Sequence, residues 1–248
     1  MAHRGGARFA PNIGLENSLA AFANAVGLGY RYLETDVHAS RDGAVFAFHD
    51  ATLDRVTGSA GRIRTLDAAV VRRARIGGRE PIPYLAELFE EFPQARFNID
   101  VKEENAIEPL ARLIRETATH DRVCVASFST ARLRRFRSLL GHDVATSLGS
   151  SEVAALRLSP WRGRRALGAS RGAVCAQVPH RAGPLTVTSE AFVAAAHEAG
   201  LAVHVWTVDD RDEMRTLLDR GVDGIITDRP DVLRSVLVER GEWHGADA

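Results

Sequence analysis

The chain has 248 residues, of which 45% are hydrophobic and 26% are charged, and these values are ordinary for one large globular domain. Lys and Arg together number 32, as do Asp and Glu, so the formal net charge is zero. This balance gives no reason to expect nucleic acid or an anionic membrane as a partner. No apolar run approaches the roughly 20 residues that cross a bilayer, so we expect no stable membrane insertion. No protein partner can be inferred.

The two cysteines point to a reducing compartment. Cys124 and Cys175 lie inside apolar, strand-like runs, and two cysteines are too few for a disulfide framework. Buried, reduced thiols are therefore the better interpretation. The N-terminal residues contain no hydrophobic segment typical of a signal peptide. Together these features predict a soluble, cytoplasmic protein.

Short β-rich runs alternate along the chain with segments whose apolar residues recur every three or four positions. The predicted strands are 31–37, 44–48, 96–102, 122–127, 144–148, 173–178, 202–208 and 223–227. The predicted helices lie near 17–28, 65–74, 84–92, 106–119, 129–140, 189–199, 210–220 and 230–239. About eight such units in a chain of this length predict an α/β protein with a (β/α)₈ TIM barrel.

An open, doubly wound sheet is the rival architecture. It normally carries a glycine-rich turn after its first strand, whereas Gly27 and Gly29 precede a strand here, so dinucleotide binding is disfavoured. We expect a single catalytic domain over residues 1–248, with an insertion at about 51–83 and an exposed tail at about 240–248. The first barrel strand must lie before or at His3, which predicts either a short strand or a start further upstream, and we favour the upstream start.

Two carboxylates are predicted to share one face of the strand at 31–37. Residues two apart in a strand point the same way, so Glu34 and Asp36 lie together while Leu33, Thr35 and Val37 face the opposite side. Two buried carboxylates repel each other unless a cation lies between them, and oxygen ligands favour Mg²⁺ or Ca²⁺ over Zn²⁺. The alternative is an exposed edge with two solvated acids, which the apolar opposite face argues against.

The same pattern recurs in the segment RFNIDVK at 96–102. Asn98, Asp100 and Lys102 share a face, and Lys102 is the only lysine in the sequence. Asp100 is a candidate third metal ligand, and Lys102 could then meet an anion bound beside the metal. A buried Asp–Lys ion pair explains the same spacing. This strand alone leaves both interpretations open.

Two histidines end predicted strands. His3 is followed by Arg4 and glycine, and His49 by Asp50. A histidine pair can act as base and acid across one bond, because the imidazole titrates near neutrality. Arg4 offers a planar fork suited to phosphate. Five further histidines are interpreted as structural: His120, His142, His180, His197 and His244. The roles of His38 and His204 are left undecided.

An aromatic residue is predicted to face the barrel interior. Trp206 points inward beside His204 and can form a wall against an apolar part of a substrate, although core filling explains a barrel tryptophan equally well. Other catalytic motifs are absent: the lysine is not part of a P-loop, residues 197–204 lack the spacing of a zinc-protease helix, and no GxSxG elbow occurs.

Taken in chain order, eight motifs resemble the glycerophosphodiester phosphodiesterase family of the phospholipase-C-like phosphodiesterase superfamily. They are His3-Arg4-Gly5, Glu16-Asn17-Ser18, Glu34-x-Asp36, His49-Asp50, Asp100-x-Lys102, Ser127-Phe128, Trp206-Thr207-Val208 and Gly224-Ile225-Ile226-Thr227-Asp228. The likeness runs from His3 to Pro230. It implies a TIM barrel that hydrolyses small-molecule glycerophosphodiesters to glycerol 3-phosphate and an alcohol.

The resemblance also implies roles for individual residues. His3 and His49 are the expected acid/base pair. One divalent cation, Mg²⁺ or Ca²⁺, is expected on three carboxylates, those of Glu34, Asp36 and Asp100. Arg4 and Lys102 are expected to contact phosphate, Glu16 to brace the site near Arg4, and Trp206 to contact the substrate.

The chain departs from the family pattern at Asp100, where the family usually has the longer Glu, and the loop that carries Glu16 is longer than usual. Two alternative functions remain at this point. One is a lysophospholipase D activity on lysophospholipids. The other is a non-catalytic barrel that binds a phosphodiester or a partner protein.

Overall fold

The computed structural model describes residues 1–158 and 172–245. The strands, numbered in chain order, are β1 Ala2–His3, β2 Tyr32–Ala39, β3 Val45–Ala47, β4 Arg75–Ile76, β5 Glu80–Pro81, β6 Arg96–Val101, β7 Val123–Ala126, β8 Ala145–Ser147, β9 Ala173–Pro179, β10 Arg181–Ala182, β11 Leu185–Thr186, β12 Ala202–Trp206 and β13 Gly224–Ile225. The α-helices are α1 Leu19–Gly27, α2 Asp54–Thr57, α3 Ala68–Val71, α4 Leu85–Glu91, α5 Ile107–Thr117, α6 Thr130–Leu140, α7 Ser150–Leu158, α8 Glu190–Glu198, α9 Arg211–Asp219 and α10 Pro230–Glu239.

Within the described residues, eight parallel strands form a TIM barrel, as predicted. Their order around the sheet is β1-β2-β6-β7-β8-β9-β12-β13. The barrel closes because Ala2 forms a parallel bridge with Thr227 just beyond β13, and the N–H of His3 donates to the carbonyl of Thr227 at 2.9 Å. The first strand is short, with two residues, and it pairs with β2 through Ala2–Leu33 and His3–Glu34. Whether the chain starts further upstream stays a prediction.

The strand predicted at 44–48 exists, but it is not a barrel strand. β3 runs antiparallel to the end of β2, with Val37 opposite Ala47 and Ala39 opposite Val45. The expectation of a parallel sheet built from all the predicted strands is therefore wrong for this segment. A period of two in the sequence indicates a strand but not its direction, and the short loop after β2 permits only the antiparallel return.

The segment after β3 folds over its own small core, which consists of Phe46, Phe48, Leu53, Ile63, Val71, Ala74, Ile76 and Ile82. The helix predicted near 65–74 is shorter than expected, since α3 covers only Ala68–Val71 after a 3₁₀ turn at Ile63–Thr65. Helix α2 of this insertion is a single turn that ends at Gly58, which has a left-handed φ of 65°. Its extent at about 51–83 and the single-domain organisation stay predictions.

The long helices begin where the sequence supplies a cap. Ser18, Ser129 and Ser189 each accept a hydrogen bond from a backbone N–H of the first turn of α1, α6 and α8, and Pro230 opens α10. Helix α7 was not predicted, because its apolar residues do not recur on a single face. In the described part of the chain, no helix has the length and apolar character needed to cross a membrane.

The main core lies between the barrel and its outer helices. The outward face of β6, with Phe97, Ile99 and Val101, is buried there, as its alternation predicted. In the predicted tail, Trp243 packs edge-on against Tyr30 at a centroid distance of 5.0 Å and is partly buried on the main core.

Candidate active site

A cavity of about 490 Å³ opens at the carboxyl ends of the barrel strands, the end at which TIM-barrel enzymes place their catalytic groups. Eight of the nine predicted site residues line it: His3, Arg4, Glu34, Asp36, His49, Asp100, Lys102 and Trp206. Glu16 does not line the cavity, but its Oε1 accepts a hydrogen bond from Nη1 of Arg4. The fold therefore places in one cavity predicted site residues that are up to 203 positions apart in the sequence, from His3 to Trp206.

The three carboxylates meet because of the strand register. Asp36 of β2 is the register partner of Asp100 of β6, and Glu34 is the register partner of His3. All three carboxylates are at most 8% exposed. Burial and the neighbouring Asp36 charge raise the pKa of Glu34 to about 7. Burial also opposes ionisation of Asp36, but the charges of Lys102 and Arg4 outweigh it and lower the pKa of Asp36 to about 2.

Lys102 forms an ion pair with two carboxylates at once. Its Nζ lies 2.7 Å from Oδ1 of Asp36 and 2.6 Å from Oδ2 of Asp100. Burial disfavours the ammonium, but the two carboxylates more than offset this, so the pKa of Lys102 is raised. The ion-pair interpretation of the Asp-x-Lys spacing thus describes the structure. A phosphate contact by Lys102 stays a prediction.

Arg4 is held in an uncommon backbone conformation, with φ of 51°. Its N–H donates to the backbone carbonyl of Glu34 at 3.0 Å. Its side chain pairs with Asp36 through Nε at 3.0 Å and donates from Nη1 to Oε1 of Glu16 at 3.1 Å. The next residue, Gly5, has φ of 84° and no room for a Cβ, which would lie 2.8 Å from Ala21. These contacts fix the guanidinium at the edge of the carboxylate cluster.

Both candidate acid/base histidines are oriented by a carboxylate. His3 Nδ1 lies 2.7 Å from Oδ1 of Asp228, and His49 Nδ1 lies 2.6 Å from Oδ1 of Asp50. A carboxylate only accepts hydrogen bonds, so Nδ1 carries the proton in each ring, and Nε2 is the atom left for proton transfer. Burial lowers the pKa of His3, but the charges of Glu34 and Asp228 reverse the effect, and the net pKa is raised.

Sequence reasoning missed these partners. Asp228 stands in the motif after the last strand, but its distance of 225 residues from His3 concealed the pairing. The undecided His38 is buried, and its Nε2 donates to the backbone carbonyl of His49 at 3.0 Å. Burial lowers the pKa of His38. Asp50, adjacent to His49 in sequence, is the one partner that a local signal could have identified.

The lining of the cavity away from the carboxylates is mainly apolar. Trp206 stacks edge-on with Phe128 at a centroid distance of 5.4 Å, and Phe128 is 57% exposed. Leu148, Val187 and Leu185 continue this wall. Trp206 therefore lines the cavity, and its contact with a substrate stays a prediction. The part lined by Arg4 and Lys102 suits an anionic group of a ligand. The part lined by Trp206 and Phe128 suits an uncharged portion of the same ligand that can pack against aromatic rings.

The residues present fit a divalent cation. Three buried carboxylates provide an all-oxygen donor set, and Oδ1 of Asp100 is buried without a hydrogen-bond partner among the described residues. As they stand, however, no three acidic, histidine or cysteine side chains of residues 1–158 and 172–245 are placed to ligate one ion. The ammonium of Lys102 lies between Asp36 and Asp100, so ligation by both carboxylates requires this ammonium to move.

Comparison with known proteins adds independent information. Residues 3–232 match the profile of the Glycerophosphoryl diester phosphodiesterase family. A probable glycerophosphodiester phosphodiesterase 2 of Mycobacterium tuberculosis is 44% identical, and the match covers 99% of this chain and 93% of the relative. A lysophospholipase D of Mus musculus is 35% identical, but over only 47% of this chain and 40% of its own length.

Among solved structures, an Oleispira antarctica phosphodiesterase in complex with its product sn-glycerol-3-phosphate superposes with a TM-score of 0.80. It is 25% identical, and the superposition covers 96% of this chain and 95% of the other. The fold and the site thus define a TIM-barrel phosphoric diester hydrolase. The chain belongs to the glycerophosphoryl diester phosphodiesterase family.

Proposed function

We propose that this protein hydrolyses glycerophosphodiesters to glycerol 3-phosphate and an alcohol. One observation carries the proposal: two carboxylate-oriented histidines, His3 and His49, line the same cavity as Arg4, Lys102 and three buried carboxylates. Phosphodiester hydrolysis needs a base, an acid and positive charge on the non-bridging oxygens, and this cavity offers all three. The names of the relatives agree with this substrate class.

His3 and His49 supply the proton transfers. With Nδ1 held by Asp228 or Asp50, each ring presents Nε2 to the substrate, one accepting the proton of the nucleophile and the other donating to the leaving alkoxide. The raised pKa of His3 favours its protonated form. The Asp50 carboxylate that orients His49 is itself held by Arg55, whose Nε donates to its Oδ2.

Arg4 and Lys102 neutralise the phosphate. Arg4 offers a planar fork, and Lys102 a compact charge that can approach both a carboxylate and a phosphate oxygen. Glu34, Asp36 and Asp100 are the residues that would hold one Mg²⁺ or Ca²⁺ ion, which supplies further charge neutralisation when it is bound. The apolar wall of Trp206 and Phe128 faces the remainder of the substrate.

The two alternatives are less well supported. A lysophospholipase D activity rests on relatives that match less than half of this chain. A non-catalytic barrel is inconsistent with a family of hydrolases and with a cavity that retains both oriented histidines and all three acids.

The test measures glycerol 3-phosphate release from glycerophosphocholine and lysophosphatidic acid release from lysophosphatidylcholine, each with Mg²⁺, Ca²⁺ or EDTA. We expect cation-dependent release of glycerol 3-phosphate. Release of lysophosphatidic acid alone would support the lysophospholipase D alternative. The absence of product from both substrates would overturn both enzymatic proposals. Full activity after thorough EDTA treatment would contradict the proposed requirement for a divalent cation.

A further inference from the structure

An arginine outside the cavity joins the two sides of the candidate site. Arg55 belongs to α2 of the insertion, and its side chain is 48% exposed. Its Nε donates to Oδ2 of Asp50 at 2.5 Å. Its two terminal nitrogens donate to the two oxygens of Glu16 at 2.9 and 2.6 Å. One planar guanidinium therefore holds two carboxylates from different parts of the chain.

Each of these carboxylates also holds a site residue. The other oxygen of Asp50 accepts from Nδ1 of His49 at 2.6 Å, and Oε1 of Glu16 also accepts from Nη1 of Arg4 at 3.1 Å. A continuous chain of charge-assisted hydrogen bonds thus runs from His49 through Asp50, Arg55 and Glu16 to Arg4. No role for Arg55 follows from the sequence pattern.

We propose that Arg55 is a positioning residue that fixes the imidazole of His49 and the guanidinium of Arg4 relative to each other. The inference rests on the function proposed above, in which His49 transfers a proton and Arg4 binds the phosphate. A base and a phosphate clamp must be placed together, because a misplacement of about 1 Å from a distant mutation can lower the rate by about 10²-fold. Without Arg55, Asp50 and Glu16 each lose their shared partner and gain freedom to rotate.

The fork geometry explains why arginine stands here. Arg55 uses three N–H groups in one plane, one toward Asp50 and two toward Glu16. A lysine ammonium is a point charge on a flexible stem and cannot reproduce this fixed pattern. The competing explanation is a purely structural one, in which Arg55 anchors the insertion to the barrel. Exposed ion pairs contribute little to stability, so a structural role predicts a small effect of removal on both folding and turnover.

The experiment compares three variants by steady-state kinetics on glycerophosphocholine: Arg55→Met, Arg55→Lys and the control Arg79→Met. Arg79 is an exposed arginine of the same insertion whose side chain has no hydrogen bond or ion pair among the described residues. We expect Arg55→Met to lower kcat/KM by about 10²-fold, with a lower kcat from the His49 side and a higher KM from the Arg4 side. The kcat/KM of Arg55→Lys should be only slightly higher than that of Arg55→Met. The kcat/KM of Arg79→Met should equal that of wild type.

A double-mutant comparison separates positioning from structure. In the Glu16→Gln/Asp50→Asn background, Arg55 has lost both charged partners, so Arg55→Met should cause no further loss. A folded Arg55→Met protein with kcat and KM within about twofold of wild type would overturn the proposal. So would a loss of the same size in both backgrounds.

A spectroscopic readout keeps this test independent of the proposed activity. The ¹⁵N resonances of the His49 ring and of the Arg4 side chain should both shift in Arg55→Met and stay unchanged in Arg79→Met. If the wild-type protein were inactive, the function proposed above would fail while these resonances still tested the positioning. Unshifted resonances at both residues in Arg55→Met would overturn the positioning role whatever the activity.

Discussion

The Nζ atom of Lys102 lies 2.6 Å from Oδ2 of Asp100, and the same ammonium lies 2.7 Å from Asp36. The only lysine of the chain therefore occupies the space between two carboxylates that would both be needed to hold a cation. A compact ammonium fits this space, whereas the wider guanidinium of the arginines used everywhere else does not.

This relationship predicts that Lys102→Arg removes most of the activity and leaves the fold intact. The larger, planar group should displace the Asp36 or Asp100 carboxylate and crowd the phosphate position, so we expect kcat/KM to fall by about 10²-fold or more. Steady-state kinetics with circular dichroism checks this, and Arg79→Lys is the control for an Arg/Lys exchange at an exposed position. Full turnover in Lys102→Arg would show that the choice of lysine has no chemical meaning.

Asp100 is the second residue to test, because its Oδ1 atom is buried and has no hydrogen-bond partner among the described residues. If this oxygen is a cation ligand, Asp100→Asn should weaken binding of Mg²⁺ or Ca²⁺ by about 10-fold or more, since a charged hard ligand is replaced by a neutral one. Isothermal titration calorimetry measures the affinity directly, without reference to activity. The exposed Asp121→Asn is the matched control. Equal affinities in Asp100→Asn and wild type would exclude Asp100 as a ligand.

The two histidines should contribute to turnover and not to binding. His3→Ala and His49→Ala are each expected to lower kcat by about 10²–10⁴-fold while KM changes little, because proton transfer is important only in the transition state. Asp228→Asn should have a smaller effect in the same direction, since it removes the charge that orients His3. A near wild-type kcat in either alanine variant would remove that histidine from the mechanism.

Glu34 makes the stability of the metal-free protein depend on pH. Its folded-state pKa is raised from 4.5 to about 7, so the folded state binds the extra proton, and the stabilisation is present below pH 4.5 and lost as pH rises through about 7. Asp36 has the opposite sign, because its lowered pKa of about 2 stabilises the folded state above its ordinary value of 3.8.

The Glu34→Gln variant isolates this effect. In EDTA at pH 8 it should be more stable than wild type by on the order of 1–3 kcal/mol, and the difference should vanish below about pH 4.5, the ordinary pKa of Glu34. Urea denaturation at the two pH values measures it. Added Mg²⁺ or Ca²⁺ should stabilise wild type more than the variant. A pH-independent difference between the two proteins would contradict the burial argument for Glu34.

The sequence predicted much of this molecule because the relevant signals are local. Alternation over two residues placed Glu34 and Asp36 on the inner face, and helical spacing located most of the outer helices within two residues of their ends. The barrel then followed from the number of βα units. The antiparallel direction of β3 was missed because residue alternation is the same in both directions.

Long-range pairings were not predictable by the same means. Arg55 and Glu16 are 39 positions apart, and His3 and Asp228 are 225 apart, so no local periodicity links them. The ion pair of Lys102 was foreseen as one of two interpretations. Its second partner, Asp36, became evident only once the register of β2 and β6 was known.

The most direct test of the central claim is ³¹P NMR of glycerophosphocholine incubated with the purified protein. We expect the diester resonance to be replaced by that of glycerol 3-phosphate when Mg²⁺ or Ca²⁺ is present, and to persist in EDTA or with His49→Ala. If the diester resonance persists both with Mg²⁺ and with Ca²⁺, the assignment of this cavity as a glycerophosphodiester phosphodiesterase site is contradicted.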